Sequence, residues 1–138
     1  MGPVKVLLVD DEEKFVIGTQ KLLSHRGFDV FTAANGLDAL DILEKEDVHV
    51  VLMDVKMPKM DGITALKEVR RRFPLVEVIL LTGHATFESA VTGIKIGASD
   101  YLMKPADLSE LLQKIAEAVE KRKMHEEKIR HDQRHEPK

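Results

Sequence analysis

The feature that most restricts this chain is an alternation of two periods. Apolar runs of strand length, KVLLVD (5–10), FDVFTAA (28–34), VHVVLMD (48–54), EVILLTG (77–83) and DYLMKP (100–105), take turns with stretches of helical spacing. Three of these runs are apolar almost throughout, as parallel strands covered on both faces are. Between them Phe15, Thr19 and Leu22, then Ala39, Leu40 and Leu43, then Ile63, Leu66 and Val69 recur one turn apart. Phe87, Ala90, Val91 and Ile94, and finally Leu108, Leu111, Leu112, Ile115 and Val119, complete five helices. Turn signals fall where connections are needed, at Gly27, Asn35-Gly36, Pro74 and Gly97, and Asp107 is placed to cap the last helix. The reading is an α/β class chain, a (βα)5 doubly wound five-stranded parallel sheet with helices on both faces and right-handed crossovers.

Composition removes several alternatives. With 138 residues, 43% hydrophobic and 33% charged, the chain suits one domain with a real core. The absence of Cys excludes disulfides, thiolate zinc sites and Cys nucleophiles, and points to a reducing, cytoplasmic setting. The apolar start is far too short for a signal peptide or a membrane span. A net charge of -3 without a dominant basic face argues against direct nucleic-acid binding. From residue 120 the composition shifts, with 12 of 19 residues charged. Residues 1–122 are therefore read as the folded domain, and 123–138 as a charged, solvated extension of the last helix or the start of a linker. His131 and His135 stand one turn apart, but the sequence around them does not follow a metal-binding pattern. Met53, Met57, Met60 and Met103 are read as packing residues, since thioethers are poor partners for Mg²⁺.

In open parallel sheets, ligands bind outside the carboxyl ends of the strands. Those ends carry Asp10 and Asp11 after the first strand, Asp54 after the third, Thr82 after the fourth and Lys104 after the fifth. Three converging carboxylates repel one another unless a hard cation joins them, and Mg²⁺ accepts carboxylate together with phosphate oxygens. Metal and phosphate are thus implied together. An Asp carboxylate can attack a phosphoryl group, and the charge that spreads over the equatorial oxygens could be shared by Mg²⁺, the Lys104 ammonium and the Thr82 hydroxyl. Asp54 is the candidate nucleophile.

Taken in order, VDDE, DVKMPKMDG, LLTGH and DYLMKP resemble the receiver domain of two-component response regulators, the fold also described as CheY-like, over residues 4 to about 122. The resemblance implies a flavodoxin-like three-layer architecture with strand order 2-1-3-4-5. It implies Asp54 as phosphoacceptor, with Asp11, Asp54 and the backbone carbonyl of Lys56 as Mg²⁺ ligands and Asp10 acting mainly through water. It further implies that Lys104 pairs with the phosphoryl group, that Lys104-Pro105 is cis, and that Thr82 and Tyr101 form a switch pair. The implied donor is a sensor histidine kinase or phosphotransfer protein. The implied receiver of the signal is a downstream protein, an output domain or a second phosphorylated copy, reached through the fourth helix, fifth strand and fifth helix. Such a domain is not a turnover enzyme. Lys56 and His84, two positions after Asp54 and Thr82, border the expected water path and are read as rate-tuning residues. Thr92-Gly93 lowers helix propensity in the fourth helix, which marks either a mobile element or a close packing contact.

Three rivals are weighed by the same residues. A phosphohydrolase of the haloacid dehalogenase type would need a second Asp two residues after the nucleophile, where Lys56 stands. A flavin or nucleotide binder would want a Ser-, Thr- or Gly-rich loop after the first strand, and DDEE is its opposite. A receiver-shaped module that binds partners without accepting phosphate shares every motif and is separated from the first reading only by experiment.

Overall fold

The computed structural model describes residues 2–134. Five strands, β1 (Lys5–Val9), β2 (Asp29–Ala33), β3 (Val50–Asp54), β4 (Glu77–Thr82) and β5 (Asp100–Met103), form one parallel sheet in the order β2-β1-β3-β4-β5. They alternate with α1 (Glu13–His25), α2 (Gly36–Lys45), α3 (Gly62–Arg72), α4 (Phe87–Ile96) and α5 (Leu108–Arg134), and a single 3-10 turn, η1 (His84–Thr86), precedes α4.

Period-two alternation divides the strands between two cores. Val6, Leu8, Val50, Leu52, Ile79, Leu81 and Leu102 face α1 and α5, where Leu23, Leu111, Ile115 and Ala118 close the layer. Leu7, Val9, Val51, Met53, Val78 and Leu80 face the other way, onto Ala39, Leu40 and Leu43 of α2, Leu66 and Val69 of α3, and Ala90 of α4. Burial on both faces is why the central strands carry almost no polar residue until their ends.

Local signals set the helix starts. Asn35, Asp61 and Asp107 accept hydrogen bonds from Asp38 N (2.9 Å), Thr64 N (2.8 Å) and Glu110 N (2.8 Å), each satisfying an otherwise orphaned amide in a first turn. α4 ends at Gly97, whose φ of 127° favours a residue without a side chain.

Three expectations need correction. Leu22 is 49% exposed, whereas Leu23 is fully buried. The buried positions of α1 run Thr19 to Leu23, four residues apart, and Leu22 falls outside that stripe, about 100° from Leu23 and about 60° from Thr19 on its other side. In α4, Ala90 and Gly93 face the core and leave Phe87, Val91 and Ile94 on the outside. The third concerns the charged stretch after residue 120, which is not wholly solvated. Arg122 is buried and donates to Val48 O (2.7 Å), with Asp47 and Glu126 as ion-pair partners. His125 reaches the buried Glu77 at 3.0 Å. Charge alone hid these contacts, because an Arg can be buried when carbonyl and carboxylate oxygens satisfy its fork. Helix α5 passes residue 122 without a break and runs to Arg134. His131 lies in this helix, while His135 lies outside the described residues.

Candidate functional site

Parallel strands in register deliver their carboxyl ends to one edge. Val9 pairs with Met53, so Asp10 and Asp54 follow on adjacent strands, and Asp54 pairs with Leu81, one residue before Thr82. Thr82 in turn pairs with Met103, the residue before Lys104. The sheet brings together all five groups expected at the strand ends.

The loop after β3 is shaped by its own sequence. Lys59 adopts a left-handed φ of 66°, turning the chain back. Gly62 then donates its N–H to Val55 O at 2.8 Å. A Cβ at Gly62 would fall inside contact distance of the Asp54 carbonyl oxygen and 2.9 Å from Val55 Cα, so only glycine lets the start of α3 pass this close. The Asp-Gly pair thus caps a helix with one residue and gives the loop after β3 its tight return with the next.

Carboxylate oxygens of Asp10, Asp11 and Asp54 lie within 4.8 Å of one another. Asp10 is buried, with Oδ2 2.6 Å from Lys104 Nζ and Oδ1 accepting the Glu12 N–H at 2.9 Å. Asp11 is exposed, and Asp54 lies between these extremes. Lys104 Nζ is 3.9 Å from Asp54 Oδ2 and 3.9 Å from Glu12 Oε1. It also lies 4.5 Å from the centre of the Phe15 ring, a cation-π contact that sequence reasoning missed by assigning Phe15 only to the core. The peptide joining Lys104 to Pro105 is cis.

Electrostatics follow from this crowding. Burial, then the neighbouring Asp10 charge, pushes the Asp54 carboxyl up to about 6; Lys104 and the Lys56 backbone N–H pull it down, and Asp11 adds to the rise. For Lys104, burial pulls downward, but the hydrogen bond and charge of Asp10, with Asp54 and Glu12, outweigh it and leave the ammonium above its ordinary value. An all-oxygen set of three crowded acids fits a hard divalent cation and offers nothing to a soft metal.

Around this centre, Thr82 is fully buried and its hydroxyl lies 2.6 Å from that of Thr86. Tyr101 packs edge-on against Phe87, with ring centroids 5.5 Å apart. Lys56 and His84 are both exposed.

The fold and this edge define a doubly wound domain with an acidic cluster at its strand ends. The model of the response regulator receiver domain matches residues 6–116, and the chain belongs to that family. Among curated relatives it is 41% identical over 127 residues to the regulatory protein AtoC of Escherichia coli, covering 92% of this chain and 27% of AtoC. It is 38% identical over 131 residues to an NtrX-like response regulator of Rickettsia bellii, covering 94% of this chain and 27% of that protein. A receiver domain structure from Clostridium thermocellum superposes with a TM-score of 0.84 at 34% identity, covering 88% of this chain and 98% of that one. The chain therefore spans about a quarter of the length of these curated relatives. It is the receiver domain of a two-component response regulator, and no helix among the described residues is long and apolar enough to cross a membrane.

Proposed function

We propose that Asp54 accepts a phosphoryl group from the phosphohistidine of a sensor kinase or phosphotransfer protein. The observation that carries this reading is the convergence of Asp10, Asp11 and Asp54 beside Lys104. An ionised Asp54 oxygen attacks phosphorus, the P–N bond to the donor imidazole breaks, and its electron pair returns to the ring nitrogen, which takes a proton. With its carboxyl near 6, Asp54 is largely ionised at neutral pH. Asp11, Asp54 and the backbone carbonyl of Lys56 are the residues to hold Mg²⁺ directly, and Asp10, whose oxygens already serve Lys104 and Glu12, acts through water. When bound, Mg²⁺ supplies charge neutralisation at the phosphoryl oxygens. Lys104 would turn part of its charge from Asp10 toward the phosphoryl group, and Thr82 would donate its hydroxyl.

The output is a shift between two shapes rather than a released product. Thr82 and Tyr101 are the proposed switch, with His84 and Lys56 tuning the lifetime of the phosphorylated form. The exposed apolar stripe of Phe87, Val91 and Ile94 on α4 is the surface offered to a partner, which is an output domain, a downstream protein or a second phosphorylated copy. Residues 1–122 form the signalling unit, and the outer part of α5 leads toward whatever it controls. No enzyme of independent turnover is proposed, and the setting is cytoplasmic.

Incubating the chain with Mg²⁺ and a small phosphodonor, followed by intact-mass and peptide analysis, tests the central claim. One added phosphoryl group on Asp54 is expected, requiring Mg²⁺ and lost in Asp54→Asn. Undiminished labelling of that variant would refute the assignment, and no labelling of the parent chain would leave a receiver that binds partners without phosphate.

A further inference from the structure

The hydroxyl that the proposed switch must move is already engaged. Thr82 Oγ lies 2.6 Å from Thr86 Oγ and 3.1 Å from Gly83 O, and Thr82 is fully buried. Thr86 is more than a neighbour four residues on. Its own hydroxyl accepts the Gly83 N–H at 3.1 Å, and its backbone N–H donates to Gly83 O at 3.2 Å, so the same side chain that holds Thr82 also closes η1. Phe87 follows at once, begins α4 and packs against Tyr101.

We infer that Thr86 is a positioning residue that latches Thr82 in the resting state and ties its release to the start of α4. The inference rests on the phosphoacceptor reading above. Whichever hydroxyl of the pair donates, Thr82 has a single proton, and swinging its hydroxyl to give that proton to a phosphoryl oxygen takes the group away from Gly83 O and Thr86 Oγ together. The hydroxyl pair then weakens, Thr86 loses its buried partner, and the turn that sets the first residues of α4 is free to rearrange. Because Phe87 is the next residue, the disturbance arrives at the ring that faces Tyr101 without crossing any other element. The latch thus sets the resting population as well as the route of the signal: a stronger bond favours the unswitched shape, a broken one favours the other.

Replacing Thr86 tests this in the 138-residue chain, with beryllofluoride and Mg²⁺ as the phosphoryl mimic and NMR titration as the readout. Thr86→Val, which keeps the shape and removes the hydroxyl, should bind the mimic about three- to tenfold more tightly, the range spanned by one net hydrogen bond. Thr86→Ser should behave like the parent. In a Thr82→Ala background the same Thr86→Val change should have no effect on binding, because the bond it removes is already gone; a purely structural role would persist there. In EDTA, the Gly83 amide should exchange faster in Thr86→Val than in the parent or Thr86→Ser. Parental binding of the mimic by Thr86→Val, or an equal gain in the Thr82→Ala background, would overturn the latch while leaving Asp54 as acceptor. Failure of the parent chain to bind the mimic would overturn the phosphoacceptor reading and the latch with it.

Discussion

Lys104 Nζ lies 2.6 Å from Asp10 Oδ2 and 3.9 Å from Asp54 Oδ2, so its ammonium is shared unequally between two carboxylates. Asp10 has a fully buried side chain and depends on that contact, while Asp54 keeps only the weaker share. Asp54 is thereby held close to a cation without being neutralised by it.

Removing the ammonium should therefore show first as lost stability. Lys104→Met strips Asp10 of its cation and leaves a buried carboxylate facing two others. In urea unfolding with EDTA we expect a loss of about 1–3 kcal/mol, smaller than for a fully buried pair because Lys104 is partly exposed. Saturating Mg²⁺ should recover part of it. Equal stability of Lys104→Met and the parent in EDTA would mean that Asp10 does not need this partner.

The raised Asp54 carboxyl makes a pH prediction whose sign is the reverse of a salt-bridged acid. Its folded value of about 6 exceeds the ordinary 3.8, so the folded chain binds more protons than the unfolded one between those limits. The stability it contributes is fully present below about 3.8 and is lost as pH rises through about 6. Allowing for solvent screening, the change is on the order of 1 kcal/mol. Asp54→Asn should remove this dependence and be more stable than the parent at pH 7.5 in EDTA. Stabilisation by Mg²⁺ should run the other way and fade as pH falls through the same range, since proton and cation compete for one carboxylate. Unfolding midpoints at pH 7.5 and 5.5, with EDTA or Mg²⁺, measure both trends.

Two glycines separate backbone constraint from packing. A Cβ at Gly62 meets the Asp54 carbonyl and Val55 Cα, which are backbone, whereas a Cβ at Gly93 meets the end of the Leu80 side chain and, at 3.2 Å, that of Ile63. Gly93 is therefore a close packing contact between α4 and the layer beneath it, the second of the two roles its low propensity allowed. Gly62→Ala should destabilise by about 2 kcal/mol or more, as a clash with backbone cannot be relieved by a rotamer change. Gly93→Ala should be milder, because side-chain ends can move and helix propensity returns about 1 kcal/mol. Thermal unfolding of both variants decides it, and the reverse order would contradict the geometry.

What could be read from the residues was whatever depends on period and chain order. The strands announced themselves because their apolar runs have to be covered on both faces, and Asp10, Asp11, Asp54, Thr82 and Lys104 followed as the residues just past each run. Strand order and ligand roles came only through the family resemblance. Other features depend on rotation or on distant partners, which a one-dimensional pattern does not hold. Leu22 and Leu23 are both leucine, and only the phase of α1 makes the second the core residue. Phe87, Val91 and Ile94 look like a buried stripe until Ala90 and Gly93 are seen to take the inner face. Arg122 was hidden among charges, its Val48 carbonyl partner being 74 residues away. The bond between Thr82 and Thr86 was invisible for the opposite reason, as a spacing of four carries no signal outside a regular helix.

The final prediction concerns how long the phosphorylated form lasts. Lys56 follows Asp54 by two positions, its backbone N–H faces the Asp54 carboxylate, and its side chain is exposed beside the site. A long exposed ammonium is free to swing over a phosphoryl group on Asp54, pairing with an oxygen while its methylene stem crowds the line along which water must attack. An asparagine there has neither the reach nor the charge. Lys56→Asn should therefore speed loss of phosphate several-fold, on the order of 1 kcal/mol in the barrier, with the extent of labelling by a small phosphodonor first corrected for any change in the forward rate. His84 is exposed on η1, one element away, and could act in the opposite sense only by orienting water; His84→Ala should then slow the loss. Decay followed by intact mass after removal of the donor separates the two. If Lys56→Asn decays at the parental rate or more slowly, the side chain is no shield, and the lifetime is set by the groups at the strand ends, Lys104 and Thr82, rather than by the rim.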